Sequence, residues 1–213
     1  MERDPIESAL EEALAGRRLL EHPFYQRWEQ GLLGRGELAA YAAEYRGFEE
    51  MLPGFLARVA ADLPQGRART AVEANLADEL GDPVPHLELF ERFAAAVDAA
   101  GSGRGPAAAA LVEAYTTVAA AGPVAALAGL LAYESQAPAV ALSKAEGLRR
   151  HYGLGSGATA FWDHHATVDV DHAAWTVEAL TELGADPAAV TAAARIVADA
   201  WWGFLDERET AAA

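Results

Sequence analysis

Apolar side chains recur every three or four positions along nearly the whole of this 213-residue chain, and that spacing permits little besides packed α-helices. The clearest run is Leu38, Tyr41, Tyr45, Phe48, Leu52, Phe55 and Val59, which makes one apolar face over about Gly36–Ala61. Alternating apolar–polar stretches of strand type are almost absent. The 52 alanines point the same way, because alanine gives up no side-chain freedom in a helix. The expectation is an all-α chain, one domain over 1–213 with seven or eight helices and a C-terminal tail that frays from about 208.

Punctuation residues set the breaks. A first helix covers Ile6–Leu20, and His22-Pro23 ends it before a short helix at Phe24–Glu29. Beyond the long helix, another runs over Gly66–Leu80 to the Gly81–Pro85 break. His86–Ala100 follows, then a loop from Gly101 to Pro106. Ala107–Ala120 and Val124–Tyr152 come next, the second kinked at Pro138. Ala158–Leu183 carries most of the histidines. Asp186 caps a last helix that starts at Pro187 and ends near Glu207.

Composition then removes several kinds of chemistry. Without cysteine there are no disulfides, thiolate metal ligands or cysteine nucleophile. A net charge of -16 opposes nonspecific nucleic-acid binding. No run of 18 apolar residues is free of charges and breaks, and Met1–Pro5 is polar, so neither a membrane span nor a secretory leader is expected and the cytoplasm is the default location. Gly101–Gly105 has no strand before it and fails as a dinucleotide loop.

The chemistry-bearing residues are His165, Asp169 and His172, Glu79 and His86, and Glu134. Positions three and four apart share a helix face, so His165, Asp169 and His172 either converge on a metal or form an acidic, exposed face. Glu79 and His86 flank the Gly81–Pro85 break. Glu134 is polar within a strongly apolar helix, so it needs a metal or an arginine as partner. Together the six supply three imidazoles and three carboxylates, a number that suits two metals. His164 points away from His165 around the helix, and His22 caps or packs near the first break. Tyr41 and Tyr45 share a face, with core packing and a redox role both open for Tyr45. Trp28, Phe161, Trp162, Trp175, Trp201, Trp202 and Phe204 read as core or dimer contact.

With these motifs the chain resembles the heme-oxygenase-like di-metal oxidases, the group that includes the TENA and PqqC proteins. Within it the chain is most similar to the chlamydial protein associating with death domains and its bacterial relatives, the self-sacrificing 4-aminobenzoate synthases. The resemblance spans about Leu20 to Asp206. It rests on Leu20-Glu21-His22-Pro23-Phe24-Tyr25-x2-Trp28, Asn75-Leu76-x2-Glu79-x6-His86, Tyr133-Glu134-Ser135-Gln136-x-Pro138, His165-x3-Asp169-x2-His172 and Gly203-Phe204-Leu205-Asp206. It implies a heme-oxygenase-like bundle in which Glu79, His86, Glu134, His165, Asp169 and His172 bind two metals, Fe/Fe or Mn/Fe. It further implies O2-dependent synthesis of 4-aminobenzoate for folate, with an external reductant. Tyr25 would be the source of the ring, Lys144 the amino donor, and Tyr41 and Tyr133 would assist radical transfer. The partners it admits are a second copy of the chain and an electron donor, and nothing in the residues marks a death-domain partner.

Two other readings stand beside this one: a di-metal oxidase or oxygenase of an external amino acid or fatty acid, and a non-catalytic protein-binding module. Lys144 separates the first from the self-sacrificing synthase. It is the only lysine among 16 basic residues, and arginine, always protonated, is a poor replacement for a nucleophilic amine.

Overall fold

The computed structural model of the chain describes residues 4–81, 84–101 and 105–211, and of 168–170 the backbone alone. Among the described residues there are ten α-helices and no strand: α1 (Pro5–Leu14), α2 (Pro23–Glu29), α3 (Arg35–Asp62), α4 (Arg67–Leu80), α5 (His86–Ala96), α6 (Pro106–Ala121), α7 (Pro123–Glu134), α8 (Ala137–Tyr152), α9 (Ser156–Glu182) and α10 (Pro187–Thr210). The all-α expectation holds, with more helices than the seven or eight expected.

The additional breaks have local causes. The first helix stops at Leu14 rather than Leu20 because Gly16 takes a left-handed φ of 70°. A single 3-10 turn, Leu19–Glu21, then leads into α2. His22 ends that turn and caps α2, its Nδ1 accepting from the Phe24 N–H at 3.1 Å. Asp98, with φ 60°, follows the early end of α5. Val124–Tyr152 is broken in two rather than kinked. Pro138 falls in the first turn of α8, where a missing N–H costs nothing. Gln136 fills the break: its Oε1 accepts from the Leu19 N–H at 2.8 Å and its Nε2 donates to the Ala132 carbonyl at 2.9 Å. Pro53, by contrast, sits inside α3 without ending it, and its ring nitrogen leaves the Glu49 carbonyl without the usual helical donor.

The centre of the bundle is α7, buried on every side from Ala126 to Glu134, as an all-apolar helix must be. It packs along α10, α6 and α9, while α3 packs against α4 and α6 and α8 lies along α9. Close approach depends on Gly129, where an added Cβ would come within 2.9 Å of Val118 Cγ2 on α6 and Val197 Cγ2 on α10. Gly129→Leu is therefore expected to lower the unfolding free energy by about 1–3 kcal/mol, read from urea denaturation midpoints. No helix among the described residues is long and apolar enough to cross a membrane.

Candidate active site

Three helices bring a first group of ligand-type side chains together. On α4, Asn75 and Glu79 are four apart and both buried. α4 ends at Leu80 and α5 begins with His86, which lies beside Glu79. His165 arrives from α9. One ligand atom from each of Glu79, His86 and His165 lies within 4.8 Å of the other two, and all three residues are buried. His86 Nδ1 is 3.1 Å from Glu79 Oε2, and His165 Nε2 is 3.8 Å from Glu79 Oε1. His165 Nδ1 lies 2.9 Å from the Phe161 carbonyl. With a metal bound, donation there would fix the tautomer and present Nε2 as the ligand on the Glu79 side, the usual arrangement of a metal-binding imidazole. Burial alone would raise the Glu79 carboxyl, but the His165 and His86 imidazoles outweigh it and bring it down to about 2.

These residues fit a metal ion. His86 Nδ1 is buried and, though 3.1 Å from Glu79 Oε2, is not aligned for a hydrogen bond, and a divalent ion between it, His165 Nε2 and Glu79 would satisfy all three. Nitrogen and oxygen donors of this kind suit iron or manganese. His86→Ala should then cut the iron retained after reconstitution and desalting by at least about tenfold, measured by elemental analysis. It should also remove any rise in melting temperature on adding iron.

Glu134, at the C-terminal end of α7, lines a small internal cavity with Glu79, His165, Tyr133 and Glu49. Asn75 Nδ2 donates to Glu134 Oε1 at 2.6 Å, so α4 orients this carboxylate as well as supplying Glu79. One partner of Glu134 is thus an amide. Tyr133 and Glu134 are neighbours in sequence, yet both face the same cavity. His172 is buried, but its Nε2 lies 2.9 Å from Asp78 Oδ2, outside the Glu79–His86–His165 group. Asp78 is half exposed, so it holds His172 from the outer side. The side chain of Asp169 lies outside the described residues. His164 points away from His165, their ring centroids 5.9 Å apart, and packs on the group from outside, its ring centroid 4.5 Å from that of His86.

A second cluster lies beside the first. Trp28 on α2 packs against Gly147 of α8, within 3.0 Å of where a Cβ would stand. Its Nε1 donates to the Lys144 carbonyl at 3.3 Å. This contact docks the helix bearing Tyr25 onto the helix bearing Lys144. Tyr25 and Tyr41 share a hydrogen bond between their hydroxyls at 2.8 Å, and Lys144 Nζ donates to Tyr41 Oη at 2.7 Å. Lys144 is 2 % exposed, its Nζ 4.0 Å from the Trp162 ring centroid and 4.7 Å from that of Tyr25. Burial drives its amine well below the ordinary lysine value, against the opposing charge of Glu49. The Tyr25 phenol is pushed upward by burial, with its bond to Tyr41 pulling the other way. The buried amine and the buried phenol therefore face each other inside an aromatic box.

Sequence reasoning missed Glu49, which is 3 % exposed on α3 and adds a carboxylate to the metal cavity. Its signal was the helical spacing Tyr41, Tyr45, Glu49, one stripe running from the lysine to the cavity. Trp175, expected as core or dimer contact, is 38 % exposed. Its indole packs 5.5 Å from the His172 ring, so it covers the outer side of that histidine.

A family model described as "Iron-containing redox enzyme" matches residues 39–205. The 4-aminobenzoate synthase of Chlamydia pneumoniae is 29% identical to this chain over 204 residues, covering 92% of this chain and 91% of the relative. That of Nitrosomonas europaea is 32% identical over 227 residues, covering 97% and 92%. Among solved structures, a domain of unknown function with a heme oxygenase-like fold from Shewanella denitrificans superposes with a TM-score of 0.73 at 18% identity, covering 97% of this chain and 90% of that one.

Proposed function

The chain belongs to the iron-containing redox enzymes of heme-oxygenase-like fold, and on that premise we propose that it makes 4-aminobenzoate out of its own Tyr25, with Lys144 as amino donor. Its relatives from Chlamydia pneumoniae and Nitrosomonas europaea carry the name 4-aminobenzoate synthase. The observation that carries the reading to particular residues is the setting of the only lysine. Its amine is fully buried, bonded to Tyr41 and set against the Tyr25 ring. Burying an amine so deeply is costly, and a merely structural role would be served as well by methionine.

The product explains why these two residues are needed. In 4-aminobenzoate the nitrogen and the carboxyl carbon are para to each other. In tyrosine the hydroxyl-bearing carbon and Cβ hold the same relation. The ring and Cβ of Tyr25 thus give the carbon skeleton, and the nitrogen must arrive at the carbon that bears Oη. Tyr41 holds that hydroxyl, and Lys144 approaches from the same hydrogen-bonded group. Trp28 and Trp162 exclude water that would otherwise compete with the amine. A raised phenol pKa keeps Tyr25 protonated, so that loss of an electron must be accompanied by loss of the hydroxyl proton.

Glu79, His86, His165 and Glu134, with His172 and Asp169, are the residues that would hold two ions, Fe/Fe or Mn/Fe. Those ions would supply the oxidising power of O2, with electrons from an external reductant. Incubation of iron-loaded protein with O2 and ascorbate, and no organic substrate, tests the proposal. Release of 4-aminobenzoate, at no more than one per chain, is the expected result.

An open cleft of ≈ 720 Å³, lined by α1, α7, α8 and α9, reaches Glu134 and has Leu131, Pro138 and Val177 in its walls. It favours a second reading, oxidation of an external small molecule such as an amino acid or fatty acid. Product formed only when such a substrate is added would select that reading.

A further inference from the structure

Tyr45 has no part in the chemistry described so far, yet it stands between the two halves of the site. It is fully buried on α3, one turn from Tyr41 and one turn from Glu49. Its hydroxyl is 2.6 Å from that of Tyr133, which lines the metal cavity with Glu79, Glu134 and His165. Its ring lies 5.4 Å from that of Tyr41, tilted by 31°, and 5.1 Å from Lys144 Nζ. Tyr41 in turn bonds to Tyr25 at 2.8 Å. Two hydroxyl-to-hydroxyl contacts and one ring-to-ring contact therefore join the metal cavity to Tyr25.

We propose that Tyr45 is a redox carrier, the link through which an oxidising equivalent passes from Tyr133 to Tyr41 and so to Tyr25. This rests on the reading that Tyr25 is the residue oxidised. With metal ions held in the cavity, O2 would be the terminal oxidant, and Tyr133, which lines that cavity, gives up one electron and its hydroxyl proton to it. Tyr45 then gives Tyr133 an electron and a proton: the Tyr45 O–H bond breaks and that of Tyr133 re-forms. Tyr41 gives an electron to Tyr45. The proton leaving Tyr41 goes to the Lys144 amine 2.7 Å away, and the amine, 5.1 Å from the Tyr45 ring, swings to return one proton to the Tyr45 oxygen and ends as it began. Tyr25 finally gives an electron and a proton to Tyr41. The sum is one electron and one proton removed from Tyr25, with every other group restored. A phenylalanine at 45 would fill the same space and could carry neither electron nor proton at this potential.

Tyr45→Phe tests the link. Iron stoichiometry and the melting temperature of the metal-free protein should stay near wild type. Loss of Tyr25, read by peptide mass spectrometry after aerobic incubation, should slow by at least about a hundredfold. Freeze-quench electron paramagnetic resonance should show a tyrosyl radical that outlives the wild-type signal. A second variant keeps the hydroxyl and the packing: 3-aminotyrosine at position 45 is oxidised more easily than tyrosine. It should trap the radical as an aminotyrosyl signal and leave Tyr25 whole. Tyr25 consumed at the wild-type rate in Tyr45→Phe, or consumed without an aminotyrosyl signal in the second variant, overturns the relay alone. Wild-type protein that leaves Tyr25 intact overturns the underlying reading and the relay with it.

Discussion

Tyr25→Phe is expected to make no 4-aminobenzoate under conditions in which the wild-type protein does, while binding the same amount of iron. The substitution removes one hydroxyl from a fully buried ring. Its only described hydrogen bond is to Tyr41, which keeps its bond from Lys144. The loss to stability should therefore be that of one ordinary buried hydrogen bond, about 0.5–1.5 kcal/mol. Tyr25 lies on α2, which supplies none of the candidate ligands, so metal content should not change. A structural tyrosine would give the small stability loss and leave product formation untouched. Chromatographic assay of 4-aminobenzoate, beside elemental analysis of the same sample, separates the two.

Lys144→Met should abolish product as completely, and with the opposite effect on stability. In the unfolded chain the lysine is protonated up to about pH 10.5; in the folded chain burial lowers its pKa well below that value. Between the two pKa values the unfolded state binds one more proton than the folded state. Wild-type stability therefore rises with pH across that window, by about 1.4 kcal/mol per pH unit, and this contribution levels off above 10.5. Methionine carries no charge to desolvate, so Lys144→Met should be the more stable protein at the acidic end of the window, by a margin that shrinks as pH rises. Comparing denaturant midpoints of the two proteins at a series of pH values checks the sign. A margin independent of pH would mean that the amine keeps its ordinary pKa and is not a neutral nucleophile. Lys144→Arg should lose both product and fold stability, the latter by about 3 kcal/mol or more, because the guanidinium stays charged where no carboxylate bonds it directly.

The helical class was legible because periodicity is a local property, visible in Leu38 through Val59 without knowing what the face packs against. The break between α7 and α8 was not. Pro138 suits a kink as well as a helix start, and the choice depends on Gln136 reaching Leu19, which is distant in sequence. The same division runs through the site. Glu79, His86 and His165 stand out because ligand-type residues at helical spacing, beside a break, are unusual. Glu49 does not, since an acidic pair at 49–50 looks like a solvated face. Only packing of α4 and α7 against α3 makes one of the two a buried carboxylate. Tyr45 was legible as a residue on the Tyr41 face, but its hydroxyl partner Tyr133 is 88 positions away. Lys144 was legible for another reason: in a chain where arginine supplies nearly all positive charge, a lone lysine marks a place where arginine does not suffice.

The origin of the aromatic ring is the most direct test of the account. Protein grown with ring-labelled tyrosine, loaded with iron and exposed to O2 and an unlabelled reductant without organic substrate, should release 4-aminobenzoate carrying the label. Peptide mass spectrometry should then find the matching loss of mass confined to Tyr25. Unlabelled 4-aminobenzoate, or labelled product from protein whose Tyr25 is intact, would contradict it.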